Sequence, residues 1–294
     1  MTRRGAVVSL SLALLLSMIV IDVDSPAEAA IITVDDSGGA DYTSIQDAVN
    51  AANPGDTIFV YNGTYYENVV INKKINLTGE DRSNTIIDSN GFGDVVHVVA
   101  NWVNISGFEV KNSSNSGSGI YLQSSDYCKI EYCKSFFNEP DISLDSLSNN
   151  NIIINNICTI LVGGIYLDSS SDNKIINNTG TIRLSFSSNN TLTYNGWGGI
   201  YLSFSNGNRI ENNNLTRSFD GIELIVSHNN IIKNNTCNYV SQYGISLYNS
   251  SHNIIENNDC SGNNGGIFLE GHVYLWKPSE NNKILNNICN YNDF

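Results

Sequence analysis

Two acids at the same position of neighbouring repeats are the residues of this sequence best placed for chemistry. Asp145 ends the tetrapeptide ISLD and Asp168 ends IYLD. If the repeats stack about 5 Å apart, the carboxylates repel and one retains its proton, like the acid of a retaining glycosidase. Arg183, in the next repeat, is suited to binding a uronate carboxylate. With Asp141 the acids also offer oxygens to calcium, which takes six or more. Asp145, Asp168 and Arg183 are the candidate catalytic set, although the pattern also suits solvated side chains.

Aromatic residues and one further acid share a neighbouring column. Tyr121, Tyr166 and Tyr201 stand at equivalent positions of their repeats, and Glu223 follows one repeat after Tyr201. A tyrosine ring offers an apolar face to a sugar and a hydroxyl group to its polar edge. We therefore predict that this column binds carbohydrate.

Histidines form a third candidate set. His228 and His252 lie in polar turns of adjacent repeats, and His272 lies in an insertion of the following repeat. Imidazole nitrogens suit copper or zinc. The alternative is that these are ordinary turn residues, because both SHN segments are polar. Copper is thus the second possible cofactor beside calcium.

An internal repeat must position all of these residues. Eight units begin with a short motif such as GIYL, at steps of 22, 23, 17, 18, 22, 23 and 22 residues. The second and fourth residues of each unit are apolar, which is the period of a β-strand, and a second short strand follows. The units begin at Gly119, Asp141, Gly164, Thr181, Gly199, Gly221, Gly244 and Gly266.

Such units cannot bury an apolar face singly. Coils stacked about 4.8 Å apart pair as parallel strands and bury equivalent Ile and Leu side chains in one core. The repeat therefore predicts an all-β fold, a right-handed parallel β-helix, with regular coils over about residues 95–294. Recurrent Asn pairs predict a ladder of stacked amides at a turn, where asparagine also tolerates left-handed backbone.

The segment before the regular coils predicts a cap. Ser44 is the expected N-cap of a short amphipathic helix that ends near Pro54, and this helix would cover the end of the solenoid. No linker separates the cap, about residues 30–60, from the coils, so we predict one domain over residues 30–294. The predicted early strands are 57–61, 69–71, 75–77, 85–87, 95–98 and 105–110.

Residues 1–29 have the features of a secretory signal peptide. Arg3 and Arg4 precede an apolar run and a small-residue site at Ala27–Ala29. No later stretch is apolar enough to span a bilayer. The net charge of −14 argues against nucleic acid as a partner, because that binding needs clustered Lys and Arg. We predict an exported monomer, located outside the cell, on its surface or in the periplasm.

In an exported chain the cysteines are candidates for disulfide bonds. Cys158, Cys237, Cys260 and Cys289 share a column, but stacked Cβ atoms about 4.8 Å apart exceed the about 3.8 Å that a disulfide prefers. Buried thiols are therefore predicted.

Nine Asn-x-Ser/Thr sequences are potential glycosylation sites, of which Asn62, in an Asn-Gly turn, is the most accessible candidate.

The stretch DDSGGADYTSIQDAVNAANPGDTIFVYNGTYYENVVINKKINLTGE, followed by repeats of the NKIINN type, resembles the NosD-like secreted right-handed β-helix proteins of the pectate-lyase-like superfamily. The resemblance covers nearly all of the mature chain. It implies the fold, and it allows copper-associated, carbohydrate-binding, carbohydrate-degrading and surface roles. The opening is also similar to that of pectin methylesterases, but their catalytic Gln, Asp and Arg segments have no match here.

We therefore expect an exported protein that presents a flat face to a polysaccharide or a cell-surface partner, and we favour binding without turnover. The first alternative is a lyase or hydrolase that acts on acidic glycans through Asp145, Asp168 and Arg183. The second is a NosD-like copper-binding accessory protein that uses the histidines.

Overall fold

Stacked coils form the body of the protein. The computed structural model describes residues 29–159, 163–270 and 278–293. Within these residues the chain forms a parallel β-helix with sheets of 12, 10 and 4 strands, which we call the long sheet, the face sheet and the short sheet. The predicted signal peptide lies outside the described residues.

All three sheets are built from short strands, one per coil. The long sheet contains β1 (Ile31–Val34), β2 (Thr57–Val60), β5 (Asn76–Gly79), β8 (Asn104–Ser106), β11 (Lys129–Glu131), β14 (Ile152–Ile154), β16 (Lys174–Ile176), β18 (Thr191–Thr193), β20 (Arg209–Glu211), β22 (Ile231–Lys233), β24 (Ile254–Glu256) and β26 (Lys283–Leu285). The face sheet contains β4 (Val69–Ile71), β7 (Val96–Val98), β10 (Ile120–Gln123), β13 (Ile142–Asp145), β15 (Ile165–Asp168), β17 (Ile182–Ser185), β19 (Ile200–Ser203), β21 (Ile222–Ile225), β23 (Tyr243–Tyr248) and β25 (Gly265–Glu270). The short sheet contains β3 (Gly63–Tyr65), β6 (Thr85–Asp88), β9 (Glu109–Lys111) and β12 (Lys134–Phe136).

The period-two pattern of the face strands places apolar side chains inside the coil. Ile165 pairs with Ile182 and Leu167 with Leu184, and all four side chains are buried. Equivalent residues of successive coils thus stack on one another, as predicted. Because a Leu-to-Ala change in such a core costs about 2–5 kcal/mol, this stacking is a main source of stability.

The predicted capping helix is confirmed as α1 (Ile45–Ala51). Ser44 is its N-cap, and the Ser44 side chain accepts a hydrogen bond from the backbone N–H of Asp47. The buried face of the helix packs against β1, β2 and β4. No helix in the described part of the chain has the length and apolarity needed to cross a bilayer.

The predicted asparagine ladder is confirmed, and two more polar ladders accompany it. In the predicted ladder, the side-chain oxygen of Asn213 accepts from the Asn195 N–H at 2.9 Å, and the Asn213 N–H donates to the side-chain oxygen of Asn235 at 3.0 Å. This ladder comprises Asn156, Asn178, Asn195, Asn213, Asn235, Asn258 and Asn287. A second comprises Asn151, Asn173, Asn190, Asn208, Asn230, Asn253 and Asn282. A serine ladder comprises Ser125, Ser148, Ser170, Ser187, Ser205, Ser227, Ser250 and Ser279.

The two shortest units lack one corner of the coil. A full-length unit serves for comparison: in the unit that begins at Gly199, seven residues lead from the bridging residue Asn214 to the next unit start at Gly221. In the short unit that begins at Gly164, the step from the bridging residue Thr179 to the next unit start at Thr181 is only two residues. The side of the solenoid is therefore notched next to β17 and β19, and Trp197 lies exposed in this notch.

One early strand was predicted wrongly. The segment 105–110 is not continuous but forms the ends of β8 and β9, which belong to different sheets. Gly107 separates them with φ = 80°. A Cβ atom on Gly107 would lie 2.4 Å from the carbonyl oxygen of Gly79 in the preceding coil. The turn therefore needs glycine for both its left-handed backbone and its close contact.

All six cysteines are free thiols. The predicted column is correct, because Cys158, Cys237, Cys260 and Cys289 each follow a residue of the bridge series that continues the short sheet. The prediction of buried thiols holds for the first three and is wrong for Cys289, which is exposed. No described coil stacks beyond Cys289.

Candidate functional site

The outward side chains of the face sheet form a column along the solenoid axis. The strand register aligns Tyr121 with Ser143, Tyr166 with Arg183, and Tyr201 with Glu223. The sequence placed these residues in one column, and the pairing of adjacent face strands agrees. The coils are about 4.8 Å apart, so the column from Tyr121 to Glu223 is about 24 Å long.

One end of this column holds a cluster that we call the Tyr201 cluster, made of Arg183, Tyr201, Asp220 and Glu223. The Arg183 guanidinium carbon lies 5.1 Å from the centroid of the Tyr201 ring. The Tyr201 hydroxyl donates to a carboxylate oxygen of Asp220 at 3.3 Å. A cation, an aromatic ring and two acids therefore meet beside the notch, on β17, β19 and β21 and on the turn before β21.

Burial perturbs the acids of the Tyr201 cluster. Desolvation raises the pKa of Asp220, although the hydrogen bond from Tyr201 opposes the shift. Desolvation and the nearby charge of Asp220 raise the pKa of Glu223. Both shifts increase the fraction of protonated carboxyl groups at a given pH, which suits hydrogen bonding to sugar hydroxyls and proton donation.

A second cluster, the His97 cluster, lies at the other end of the column. The His97 ring stacks on Tyr121 with centroids 4.9 Å apart, and its Nε2 lies 3.1 Å from the side-chain oxygen of Gln123. The Tyr121 hydroxyl donates to a carboxylate oxygen of Asp145 at 3.1 Å. Desolvation and the Asp145 charge raise the pKa of Tyr121 to about 12. Asp94 lies 4.0 Å from His97 Nδ1.

The predicted catalytic set is divided between different neighbours. Asp145 belongs to the His97 cluster, whereas Arg183 belongs to the Tyr201 cluster. Asp168 lies between them, in register with Ser185, and accepts from the Ser169 hydroxyl. Tyr166 neighbours Arg183 in the column. The predicted acid pair with an adjacent arginine thus remains a prediction, and the contact that the structure shows for Arg183 is with the Tyr201 ring.

The Asp141 side chain points into the coil and not toward the outer surface. Its side chain is fully buried and accepts from the backbone N–H of Gly164 at 2.7 Å and from the hydroxyl of Ser135 at 2.9 Å. Thr159 also donates to it. These donors hold the carboxylate inside the coil, so Asp141 does not join the outward acids in a calcium site.

Two of the three histidines proposed as metal ligands lie close to one another. His228 and His252 line the same cleft, with Glu280 at its edge. His228 Nδ1 accepts from the backbone N–H of Ser251 at 2.9 Å. A neutral ring in that bond carries its proton on Nε2, so neither nitrogen has a free lone pair for a metal. His272 lies outside the described residues.

Sequence reasoning missed Asp220 and His97. Asp220 stands just before the start of its unit, outside the alternating motif from which the columns were read. His97 lies in an irregular early coil, but the alternation of Val96, His97 and Val98 marks an outward residue between two inward ones. Extending the columns into the early coils would have aligned His97 with Tyr121.

Asn62, the predicted glycosylation site, is exposed beside β3. Its side-chain oxygen accepts from the Thr85 hydroxyl at 3.2 Å. It is not uniquely accessible, because Asn104, Asn177, Asn189, Asn214 and Asn234 are also exposed acceptor positions. The first Asn of the NNT sequences points outward, while the second forms the ladders.

These features define a parallel β-helix with a polar and aromatic face, and sequence comparison supplies the family. The model described as "Periplasmic copper-binding protein (NosD)" matches residues 49–197, and the model described as "Right handed beta helix region" matches residues 182–293. The chain therefore belongs to the NosD family and is a right-handed parallel β-helix. No curated protein sequence matches the chain significantly.

Solved structures with a similar fold share little sequence with this chain. The Dettilon tailspike protein has a TM-score of 0.61 at 13% identity, over 80% of this chain and 56% of the tailspike chain. The A-module of the mannuronan C-5 epimerase AlgE6 from Azotobacter vinelandii has a TM-score of 0.53 at 12% identity, over 83% and 93%. A mannuronic acid specific polysaccharide family 6 lyase from human gut microbiota has a TM-score of 0.52 at 12% identity, over 88% and 83%. At these identities the likeness shows the fold alone.

The family description raises the question of a copper site. Among the described residues, no group of three His, Cys, Asp or Glu side chains is arranged to hold a metal ion. His228 uses its Nδ1 in a backbone hydrogen bond, and His97 stacks on Tyr121 far along the column. The described residues therefore do not provide the nitrogen-rich site that Cu²⁺ prefers.

Proposed function

We propose that this NosD-family protein is exported and binds a polysaccharide chain along its face sheet, parallel to the solenoid axis. The observation that carries the proposal is the Tyr201 cluster, in which Arg183, Tyr201, Asp220 and Glu223 meet on one outward surface. Carboxyl groups and a tyrosine hydroxyl bind sugar hydroxyls, and the ring supplies apolar contact. Arg183 suits the carboxylate of a uronate unit.

The length of the face supports an extended ligand rather than a small one. The column from the His97 cluster to the Tyr201 cluster extends across successive coils, with Tyr166 between them. A polymer lying along the axis would contact several coils at once, so modest contacts per coil would add. Two structural neighbours are named for mannuronan and for mannuronic acid, which makes an acidic glycan the first ligand to test.

Affinity electrophoresis against sodium alginate, polygalacturonate and the neutral glucan pullulan tests this proposal. Tyr201→Ala and Arg183→Ala should each weaken binding about tenfold, because each removes a contact at the centre of the face. Tyr194→Ala is the matched control, since Tyr194 is exposed on a different turn. Equal binding by all variants, or no retention of the wild-type protein by any of the three polymers, would contradict the proposal.

A polysaccharide-degrading enzyme is the second candidate, and the raised pKa values of Asp220 and Glu223 favour it. A carboxyl group that keeps its proton beside a second acid can donate that proton to a glycosidic oxygen. Hydrolysis would produce new reducing ends, and a lyase would produce unsaturated ends that absorb in the ultraviolet. Product formation that is lost in Glu223→Gln or Asp220→Asn would establish turnover. Its absence, with binding retained, leaves the binding protein.

A further inference from the structure

The turn that follows each of the seven face strands from β10 to β23 contains a residue in the left-handed region. Its φ angle is close to 50° in each of these coils. This backbone is unfavourable for large or β-branched side chains and is normally given to Gly, Asn or Asp. The residues at this turn are Ser124, Ser146, Ser169, Phe186, Phe204, Val226 and Asn249.

Three consecutive coils depart from the small and polar residues of this series. Phe186, Phe204 and Val226 each have φ = 49°. The Phe186 and Phe204 side chains are 59% and 44% exposed, and their rings stack with centroids 5.1 Å apart and an interplanar angle of 9°. These residues carry two costs, an unfavourable backbone and exposed apolar surface. The coils with serine at the same turn adopt the same left-handed backbone but expose no apolar side chain there, so the fold does not require the apolar residues.

The three apolar residues belong to the same coils as the Tyr201 cluster. Phe186 follows β17, which carries Arg183, and Phe204 follows β19, which carries Tyr201. Val226 follows β21, which carries Glu223. Each apolar residue stands three positions after its polar counterpart, or about 10 Å along the strand.

Small side chains separate these two rows. Ser185 lies between Arg183 and Phe186, and Ser203 lies between Tyr201 and Phe204, in register with each other. These small residues stand in sequence between the Arg183 and Tyr201 positions and the stacked phenylalanines. In the next coil the larger Ile225 takes the serine position.

We propose that Phe186, Phe204 and Val226 form the apolar wall of the polysaccharide groove. The inference rests on the proposed function and specifies the ligand further. The groove takes a glycan whose sugar rings are amphipathic across the chain. The hydroxyl or carboxylate edge faces Arg183 and Tyr201, and the C–H surface lies against the phenylalanine wall. Apolar contact with the wall and polar contact with the cluster act on the same sugar units.

The chain itself supplies the test substitutions. The double variant Phe186→Ser, Phe204→Ser introduces the residue found at this turn in three other coils, so folding should be retained. Phe137→Ser is the matched control, because Phe137 is also an exposed phenylalanine in left-handed backbone, on a different turn. Phe204→Asn is a second variant, which introduces the residue type that Asn249 provides at this turn. Thermal unfolding of each variant verifies that the coils remain intact.

Binding to alginate, polygalacturonate and pullulan is then measured for each variant. We expect the double variant to bind the retained polymer at least tenfold more weakly, with the Phe137→Ser control unchanged. Unchanged affinity in the double variant, with binding still lost in Tyr201→Ala, overturns the apolar wall and leaves the proposed function standing. Failure of the wild-type protein to bind any polymer overturns both. The apolar wall is also overturned if the wild-type protein is a dimer and the double variant is a monomer that still binds the polymer with unchanged affinity. The three apolar residues would then serve self-association.

Discussion

Replacing one ladder asparagine tests how much the buried amides stabilise the coils. Asn213 lies in the middle of its ladder and is fully buried. Its Nδ2 donates to the Leu192 carbonyl at 3.0 Å, and its Oδ1 accepts from the Asn195 N–H at 2.9 Å. Asn213→Ala removes both groups, so the buried Asn195 N–H loses its acceptor. An unsatisfied buried donor costs about 1–3 kcal/mol and a lost hydrogen bond about 1 kcal/mol. The expected loss of unfolding free energy is therefore about 2–4 kcal/mol.

Urea unfolding followed by far-ultraviolet circular dichroism measures this loss. Native-state hydrogen exchange provides a local readout, in which the Asn195 amide should exchange faster than in the wild-type protein. Asn212→Gly is the control, because Asn212 has left-handed backbone, φ = 55°, that glycine also adopts. A loss below about 0.5 kcal/mol, with unchanged exchange at Asn195, would refute the idea that the ladder amides stabilise the solenoid.

Three other predictions concern pH, glycine and thiols. The raised pKa of Glu223 means that the folded state retains a proton that the unfolded state releases. The contribution of Glu223 to the free energy of unfolding should therefore be fully present below the unfolded pKa of about 4.3 and be lost as pH rises through the folded pKa. Glu223→Gln should flatten a plot of melting temperature against pH, and parallel plots would contradict this. Gly164→Ala should unfold more readily than Gly38→Ala, because the new Cβ atom would lie 2.2 Å from the Thr181 oxygen whereas Gly38 has open space. Equal midpoints in urea would contradict it. Only Cys289 should react rapidly with a thiol reagent before denaturation, since the other thiols are buried. Rapid labelling of two or more cysteines in the folded protein would contradict the burial of the other five.

The repeat determined most of what was predictable. Alternating Ile and Leu set the face strands, and the recurring Asn pairs set a ladder, because both patterns repeat with the coil and stacking makes every copy equivalent. The helix was predictable from local signals at Ser44. The split at Gly107 was not, since Ile105 to Val110 retains strand-like composition across the bend.

The clusters depend on single residues that no period marks. Asp220 is brought to Tyr201 by a turn, and His97 reaches Tyr121 only through the pairing of β7 with β10. The column was predictable, but the division of Asp145 and Arg183 between two clusters depends on side-chain contacts that spacing does not define. A repeat therefore predicts a surface better than it predicts the site on that surface.

The asparagine ladders run in one direction, so a whole coil is the unit that can be added to or removed from the solenoid. Each ladder residue donates its N–H to the following coil and accepts with its side-chain oxygen from the preceding one, so every coil inside the ladders supplies and requires the same bonds. Duplicating or deleting a whole coil would conserve that exchange. The distance between the His97 and Tyr201 clusters can therefore change in increments of about 4.8 Å without new core chemistry. Duplication of the segment that encodes one coil would therefore lengthen the ligand that the face accommodates by one coil spacing.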